Sequence, residues 1–370
     1  MIKRLAAVMV LAALVAACGE GPGALEGETD PEVVREFLSE AMPDGASGTV
    51  LVAVADDIVL CDGFGLADRA AEIETDCDTA YDVMSITKQF TAAAILKLEM
   101  LGKLDVEDRL TDVLGSVPDD KRDITIHHLL THTAGLVEAL GDDYEPLSRD
   151  ALLSEALGSD LISDPGEEHH YSNTGYSVLA AIVEIVSGQT YDEFVVEHLF
   201  EPAGMTKTGY AKPGWHDSHV AVEYDAQGSA QGRPYEHPWD DDGPYWNLRG
   251  NGGVLSTAAD MFRWHVALTG DEILSAEAKA KLFEPYVDEG QGDTFYGYGW
   301  VVEDTDLGSA VWHDGGNGRS HAEYWRFLEH DLMLFWVTNQ ESRDGSWELS
   351  DLEEVIWDDL APWARDQVER

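Results

Sequence analysis

Residues 80–101 read AYDVMSITKQFTAAAILKLEML, and the way this stretch folds constrains everything around it. From Ser85 to Leu101 apolar residues recur at helical spacing, so a long helix is expected there. Ser85 and Lys88 stand three residues apart at its start, on one face, which lets the lysine amine sit beside the serine hydroxyl. A serine is a weak nucleophile at its free pKa. A desolvated neutral lysine, or a base that lysine supports, can take its proton, and the helix N-terminus favours developing negative charge. The chain has 20 Ser and 9 Lys in 370 residues. A Ser-Xaa-Xaa-Lys match standing alone is equally well a capping serine followed by a surface lysine, so the pattern needs support from elsewhere.

Working outward from this helix, Gly48–Val54 and Ile58–Cys61 flank Asp56-Asp57 and read as a hairpin. Before them, Asp30-Pro31 followed by EVVREFLSEAM opens a helix with a capping residue and a proline at its first position. After residue 101, helical stretches are expected at 124–133, 149–157, 175–187 and 190–200, broken by Gly and Pro loops. Short strands are expected at Tyr298–Glu303, Ala310–His313, Ala322–Phe327 and Leu332–Val337, with a last helix over 347–358. Strands at both ends and helices between predict an α/β protein of the α+β sandwich kind. Its antiparallel sheet is built from both chain termini, about 31–80 and 295–370, flanked by helices, with a mostly helical region inserted at about 81–294. The stretch 213–253, rich in Gly, Pro, Trp and Asp, shows no readable period.

Composition narrows the function. The chain carries 72 acidic against 23 basic side chains, a formal net charge of -49. Such a surface repels phosphate backbones and anionic lipid headgroups, which argues against nucleic-acid binding and polybasic membrane docking. Disorder does not follow, because 44% of residues are hydrophobic and include 11 Trp, 13 Tyr and 10 Phe. Acids spread along the whole chain fit a solvated surface in salty surroundings, hence a halophilic or marine setting.

The N-terminus predicts export. Lys3 and Arg4 precede an uncharged run from Leu5 to Ala17, and Val15-Ala16-Ala17-Cys18 ends it with small residues and a cysteine. Residues 1–18 resemble a bacterial lipoprotein signal, which implies lipidation of Cys18 and a place in the cell envelope; a secretory signal cleaved after Ala17 is the other reading. Membrane contact is then through the N-terminal lipid alone. Residues 19–30, GEGPGALEGETD, read as a flexible acidic tether. With Cys18 taken by lipid, Cys61 and Cys77 remain as an even pair in an oxidising compartment, a disulfide candidate whose alternative is two buried thiols.

Two further motifs follow Ser85-Xaa-Xaa-Lys88 in order: Tyr171-Ser172-Asn173, and His313-Asp314-Gly315-Gly316. Together the three resemble the class C β-lactamase-like serine hydrolases, a family that also holds penicillin-binding proteins, D-alanyl-D-alanine carboxypeptidases, D-amino peptidases and esterases. The resemblance runs from about Gly48 to Asn339. It includes LLTHTAGL at 129–136, Pro165-Gly166, GMTKTG at 204–209, GGVLSTAAD at 252–260 and YGYGW at 296–300.

That resemblance implies roles. Ser85 would form an acyl-enzyme, with Tyr171 as general base in a coupled pair with Lys88, whose charge would lower the phenol's pKa. Asn173 would orient Lys88 or a substrate amide. The amides of Ser85 and Gly316 would form the oxyanion hole, with Gly315 letting the strand approach and His313 donating a hydrogen bond where relatives carry lysine. Neutral imidazole would grip a substrate carboxylate more weakly than lysine does, which favours ester or D-amino-acyl substrates over a dedicated β-lactamase. No metal or organic cofactor is implied. The other class of function is a non-catalytic envelope lipoprotein that binds peptidoglycan or a partner in the same cleft, but it has no need of Ser85, Lys88 and Tyr171 together.

Weaker signals complete the reading. Tyr245-Trp246-Asn247 matches the tyrosine triplet by letter but lacks the Pro-Gly lead-in. His127, His128, His132, His169 and His170 invite a metal without any HExxH or CxxC beside them. Gly318-Arg319-Ser320-His321-Ala322 imitates a nucleophile elbow but leads into no helix. Trp239, Trp246 and Trp300 could line a pocket or fill the core.

Overall fold

The computed structural model describes Leu25 and residues 30–211, 213–290 and 292–368. The leader, Cys18 and most of the tether therefore lie outside the described residues. Helix α1, Pro31–Ala41, begins as the capping signal requires: Asp30 accepts the Glu32 amide and proline sits at the first turn. It leads into β1 (Gly48–Val54) and β2 (Asp57–Phe64), the expected hairpin. The other strands of the main sheet come late in the chain: β3 (Val287–Asp288), β4 (Thr294–Tyr296), β5 (Val301–Thr305), β6 (Gly308–Gly316), β7 (His321–Phe327) and β8 (Leu332–Thr338). All pair antiparallel in the order β3-β4-β5-β6-β7-β8-β1-β2, so β8 zips onto β1 and unites the two ends of the chain.

Alternation of side chains across the pleat explains why both faces of this sheet are covered. On β1, Val50 and Val52 join one core with Leu334 and Trp336 of β8, under α1 and the C-terminal helices. The intervening Leu51 and Ala53 face the other way and pack with Met333, Phe335 and Val337 against the inserted helical region. Fully burying a side chain of this size contributes about 1.5–3 kcal/mol. Register is thereby fixed, because a one-residue slip would exchange the two faces.

The inserted region centres on α2 (Thr87–Met100) and α3 (Asn173–Ser187), which pack on one another. Both are apolar nearly all round, as buried helices must be. The chain from 190 to 200 is α-helix to Val195 and then a π-turn to Phe200, so the expected single helix is interrupted. The unreadable stretch 213–253 resolves into short two-stranded ribbons, Glu223–Tyr224 with Ala230–Gly232 and Trp239–Asp240 with Gly243–Pro244. At the C-terminus the helical run extends past residue 358 to Val368. A disulfide joins Cys61 on β2 to Cys77, tying the sheet to the loop that leads toward Ser85.

Candidate active site

Ser85 does not begin a regular helix. It occupies a 3-10 turn, Met84–Ile86, and α2 starts only at Thr87. Met84 has φ +47°, a left-handed value that costs a non-glycine residue on the order of 1 kcal/mol or more. The turn is held by the buried Asp82 carboxylate, which accepts the Met84 amide at 2.7 Å. Lys88 follows one turn later, as the spacing predicts.

Lys88 is fully buried and its Nζ donates to Ser85 Oγ at 3.1 Å and to the Asn251 carbonyl at 2.8 Å. Burial pulls its pKa down to about 7, against the opposing fields of Asp143, Asp314 and Glu138. The ring of Tyr171 lies 4.8 Å from Lys88 Nζ. A hydrogen bond to Ser85 favours its ionised form, but burial dominates and, helped by Asp314, Tyr176 and Glu138, holds the phenol well above its ordinary range. The expected depression of Tyr171 by Lys88 is therefore not what the surroundings produce: a lysine stripped of water and near neutrality supplies little field.

Tyr171 is placed by its neighbours. Ser172 caps α3 by accepting the Gly175 amide at 3.0 Å, and its hydroxyl donates to the Val137 carbonyl at 2.8 Å. The Ser172 amide donates to Nδ1 of the buried His132 at 3.0 Å, and the His132 ring packs 4.3 Å from that of Tyr171. His132 thus positions the triplet, a part the sequence reading did not give it; its place in LLTHTAGL was the available signal. Asn173 opens α3 and its Oδ1 is buried with no hydrogen-bond partner.

The end of β6 closes the opposite side. A Cβ added to Gly315 would sit 2.7 Å from the Ser85 nitrogen and 2.8 Å from Met84 Cβ, so only glycine lets the strand lie this close. Gly316 lines a small cleft with Ser85, Asn173 and Asn251.

His313 is not part of that wall. It is 3% exposed, and its Nδ1 reaches the Asp314 carbonyl at 2.5 Å, which requires a proton on Nδ1. Nε2 is then left to accept from the Tyr296 hydroxyl at 3.0 Å. Burial is the main cause that lowers its pKa to about 4. The imidazole is neutral, with both nitrogens spent inside the protein, so the expected donor to substrate is turned inward. Tyr296, from the YGYGW segment, holds it there.

The cleft contains two acids that motif reading missed, Asp82 and Asp143. They come from a short strand and an irregular loop, and no pattern marked them. The remaining candidates are dispersed. His127 bonds Tyr298, His128 accepts the Thr125 amide and His170 meets Glu168, so the histidines form no common ligand set. Among the described residues the one potential metal-binding group is instead His321 and Glu323 on β7 with Glu353 of the C-terminal helical run, all buried, with ligand atoms within 4.8 Å of one another. Gly318–Ser320 lies in the β6–β7 turn and His321 opens β7, with Ser320 bonded to Glu223. Trp246 and Trp300 are core residues, whereas Trp239 lines a separate cavity of about 290 Å³ with Tyr210, Trp215 and Tyr235.

A sheet closed from both chain ends, with a buried lysine beneath a cleft-lining serine where the helical insert meets it, defines a β-lactamase-type serine hydrolase architecture. Residues 34–353 match the family model described as Beta-lactamase, and the chain belongs to that family. It is similar to penicillin-binding protein 4* of Bacillus subtilis strain 168, 32% identical over 313 residues, spanning 80% of this chain and 68% of that protein. Among solved structures it resembles a penicillin-binding protein from Bacillus halodurans, with 27% identity, TM-score 0.73, and coverage of 89% of this chain and 98% of that one. The octameric penicillin-binding protein homologue from Pyrococcus abyssi is similar at 25% identity and TM-score 0.74, over 89% of this chain and 76% of that chain. No described helix is long and apolar enough to cross a membrane.

Proposed function

We propose that this chain is an exported hydrolase that acylates Ser85 on small esters or D-amino-acyl amides and peptides, with β-lactams as slower substrates. The observation that carries the reading is the contact of Lys88 Nζ with Ser85 Oγ at 3.1 Å, in surroundings that hold the amine near neutrality. A neutral amine at that distance can take the hydroxyl proton as Ser85 Oγ attacks the carbonyl carbon. The tetrahedral oxygen is received by the amides of Ser85 and Gly316. Tyr171, held as a phenol bonded to Ser85, relays a proton to the leaving group, with Lys88 restoring it. Water then attacks the acyl-enzyme and Ser85 is released. No step requires a metal or organic cofactor.

The preference against β-lactams rests on the neutral, inward-turned His313, which offers a substrate carboxylate no charge. The leader ending at Cys18 gives the enzyme a setting in the bacterial envelope, held by lipid; mass analysis of the mature N-terminus tests that part. Catalysis is tested by labelling wild type and Ser85→Ala with a fluorophosphonate and a fluorescent penicillin, then assaying a phenyl ester, nitrocefin and a D-Ala-D-Ala peptide. Wild type should label and turn over the ester. Equal labelling of Ser85→Ala would remove the assignment.

A further inference from the structure

Gly316, the last residue of β6, runs into a short turn, Asn317–Ser320, before β7 begins at His321. A hairpin end of this kind is ordinarily the loosest part of a sheet. Here it is tied from within and from outside. Within the turn, Asn317 Oδ1 accepts the amides of Arg319 at 2.9 Å and Ser320 at 2.8 Å, and the Asn317 amide donates to the Ser320 carbonyl at 3.2 Å. From outside, the turn converges on one carboxylate. Glu223 Oε1 accepts from Asn317 Nδ2 at 2.8 Å and from the Ser320 hydroxyl at 3.2 Å, while Oε2 lies 3.7 Å from Arg319 Nη1 and 3.3 Å from His237 Nε2.

Glu223 is 2% exposed and comes from the short ribbon far away in sequence. Its backbone is fixed on both sides, because the Val222 amide donates to the Ala67 carbonyl at 2.8 Å and the Tyr224 amide to the Asn339 carbonyl at 3.0 Å. A carboxylate taken out of water costs several kcal/mol unless donors surround it. Every donor that surrounds this one belongs to, or supports, the rim of the cleft. Asn317 lines the cleft beside Gly316 and Ser85. Arg319 Nη1 reaches the hydroxyl of Tyr144, another cleft residue, at 3.3 Å, and the His237 ring stacks on that of Tyr144 at 4.4 Å. Glu223 itself does not line the cleft.

We infer that Glu223 is a positioning residue for the oxyanion wall. Through Asn317 and Ser320 it fixes the turn that aims the Gly316 amide, and through Arg319 and His237 it steadies Tyr144 on the same cleft. The inference rests on the reading of Ser85 as nucleophile and of the Gly316 amide as an oxyanion donor, and it adds what holds that donor in place. A donor stabilises the tetrahedral oxygen only if it is already aimed where the charge develops. That oxygen carries its charge in the transition state and not in the bound substrate, so a loosened turn lowers kcat and leaves KM nearly unchanged.

Exchanging donor and acceptor across the Glu223–Asn317 contact tests this, with phenyl isobutyrate as substrate at pH 7 and fixed high salt. Asn317→Asp keeps an oxygen for the amides of Arg319 and Ser320 but sets a second carboxylate against Glu223. Glu223→Gln turns an amide donor either onto Asn317 Nδ2 or onto Arg319 and His237. Each single substitution should lower kcat about tenfold with KM within about threefold of wild type. Made together they restore one donor and one carboxylate across the contact at unchanged net charge, and kcat should return to within about threefold of wild type. Urea unfolding of each variant separates a role in stability alone, which would lower the midpoint and leave kcat per folded molecule intact. Wild-type kcat in both single variants, a loss confined to KM, or a double variant no more active than the weaker single would overturn the inference. If a single variant does not fold, Ser320→Ala removes one donor to Glu223 without burying a new charge; its kcat should fall about threefold, and an unchanged kcat would overturn the inference equally. The two readings fail separately. Hydrolysis that survives in Ser85→Ala removes the nucleophile, whereas hydrolysis lost in Ser85→Ala with kcat indifferent to the exchange removes only the part given to Glu223.

Discussion

Replacing Lys88 by methionine should make the protein more stable at neutral and acidic pH while ending its activity, and the pH dependence of that gain is the diagnostic. A pKa lowered from 10.5 to about 7 by complete burial corresponds to about 5 kcal/mol. The sign follows from proton counting. Between about pH 7 and 10.5 the unfolded chain holds a proton on this lysine and the folded protein does not, so stability rises with pH. Below about pH 7 both states are protonated and the full cost of burying the cation is present. A methionine carries no such cost. Against this, the variant leaves the Asn251 carbonyl without its 2.8 Å bond, a pH-independent loss of about 1–3 kcal/mol. The stability difference between variant and wild type should therefore be largest near pH 6 and shrink by up to about 1.4 kcal/mol per unit as pH rises to 10. Asp82 contributes the opposite slope below about pH 8, overlapping only the start of this window, but it is present in both proteins and leaves the difference. Urea unfolding of both at pH 6, 7, 8 and 9 in constant high salt measures it, and wild-type kcat/KM should show a rising limb near pH 7. Two stability curves that run parallel across this range would show that Lys88 is not held near neutrality, and the base assignment would fall with it.

Three other outcomes test separate parts of the structure. Gly315→Ala puts a methyl 2.7 Å from the Ser85 nitrogen and should lower kcat by about 10²-fold, the scale of a lost oxyanion donor; Gly158→Ala, with open space around it and no left-handed backbone, is the control, and wild-type kcat in Gly315→Ala would show that the close approach is dispensable. Removing the Cys61–Cys77 disulfide by double alanine substitution should cost roughly 3 kcal/mol in urea unfolding, given the 16-residue separation, and an unchanged midpoint would reject a stabilising role. With a net charge of -49, thermal stability should climb as KCl is raised from low to molar concentration, and maximal stability in salt-free buffer would contradict the halophilic reading.

The parts of the molecule that could be read in advance are those whose cause is local. Alternation along β1 and β8, the Asp30-Pro31 cap and the three-residue offset from Ser85 to Lys88 each follow from a few neighbouring residues. What escaped was set by distant contacts. The approach to the left-handed Met84 that lifts Ser85 out of the helix is held by a distant strand, with Asp82 paired to Leu255 and the Val83 amide donating to the Val254 carbonyl at 2.9 Å. The inward turn of His313 depends on Tyr296, and the posture of Tyr171 on His132. The loops that bring Asp143 and Asn251 to the cleft have no period at all.

The acid excess shows the same division most sharply. Counted along the chain it describes a solvated surface, and most of these carboxylates do lie exposed. Yet burial, which no count can register, turns a few of them into something else. Glu223 at 2% exposure and Asp82 at 5% cannot be screened by salt as surface acids are, and burial together with the field of Glu223 pushes the Asp82 carboxyl up to about 8. None of Ser85, Lys88 and Tyr171 is acidic, which by itself would leave the charge irrelevant to the chemistry. The fold reverses that conclusion at one place. Where solvent is excluded beside Ser85, the carboxylates Asp143, Asp314 and Glu138 favour the protonated form of Lys88, drawing its pKa back up against the much larger effect of burial. A site that must keep its lysine deprotonated while surrounded by acids therefore depends on dryness, so opening the cleft to water at Asn173, which removes no charge, should shift the pH-rate limb upward as the amine regains its solvation.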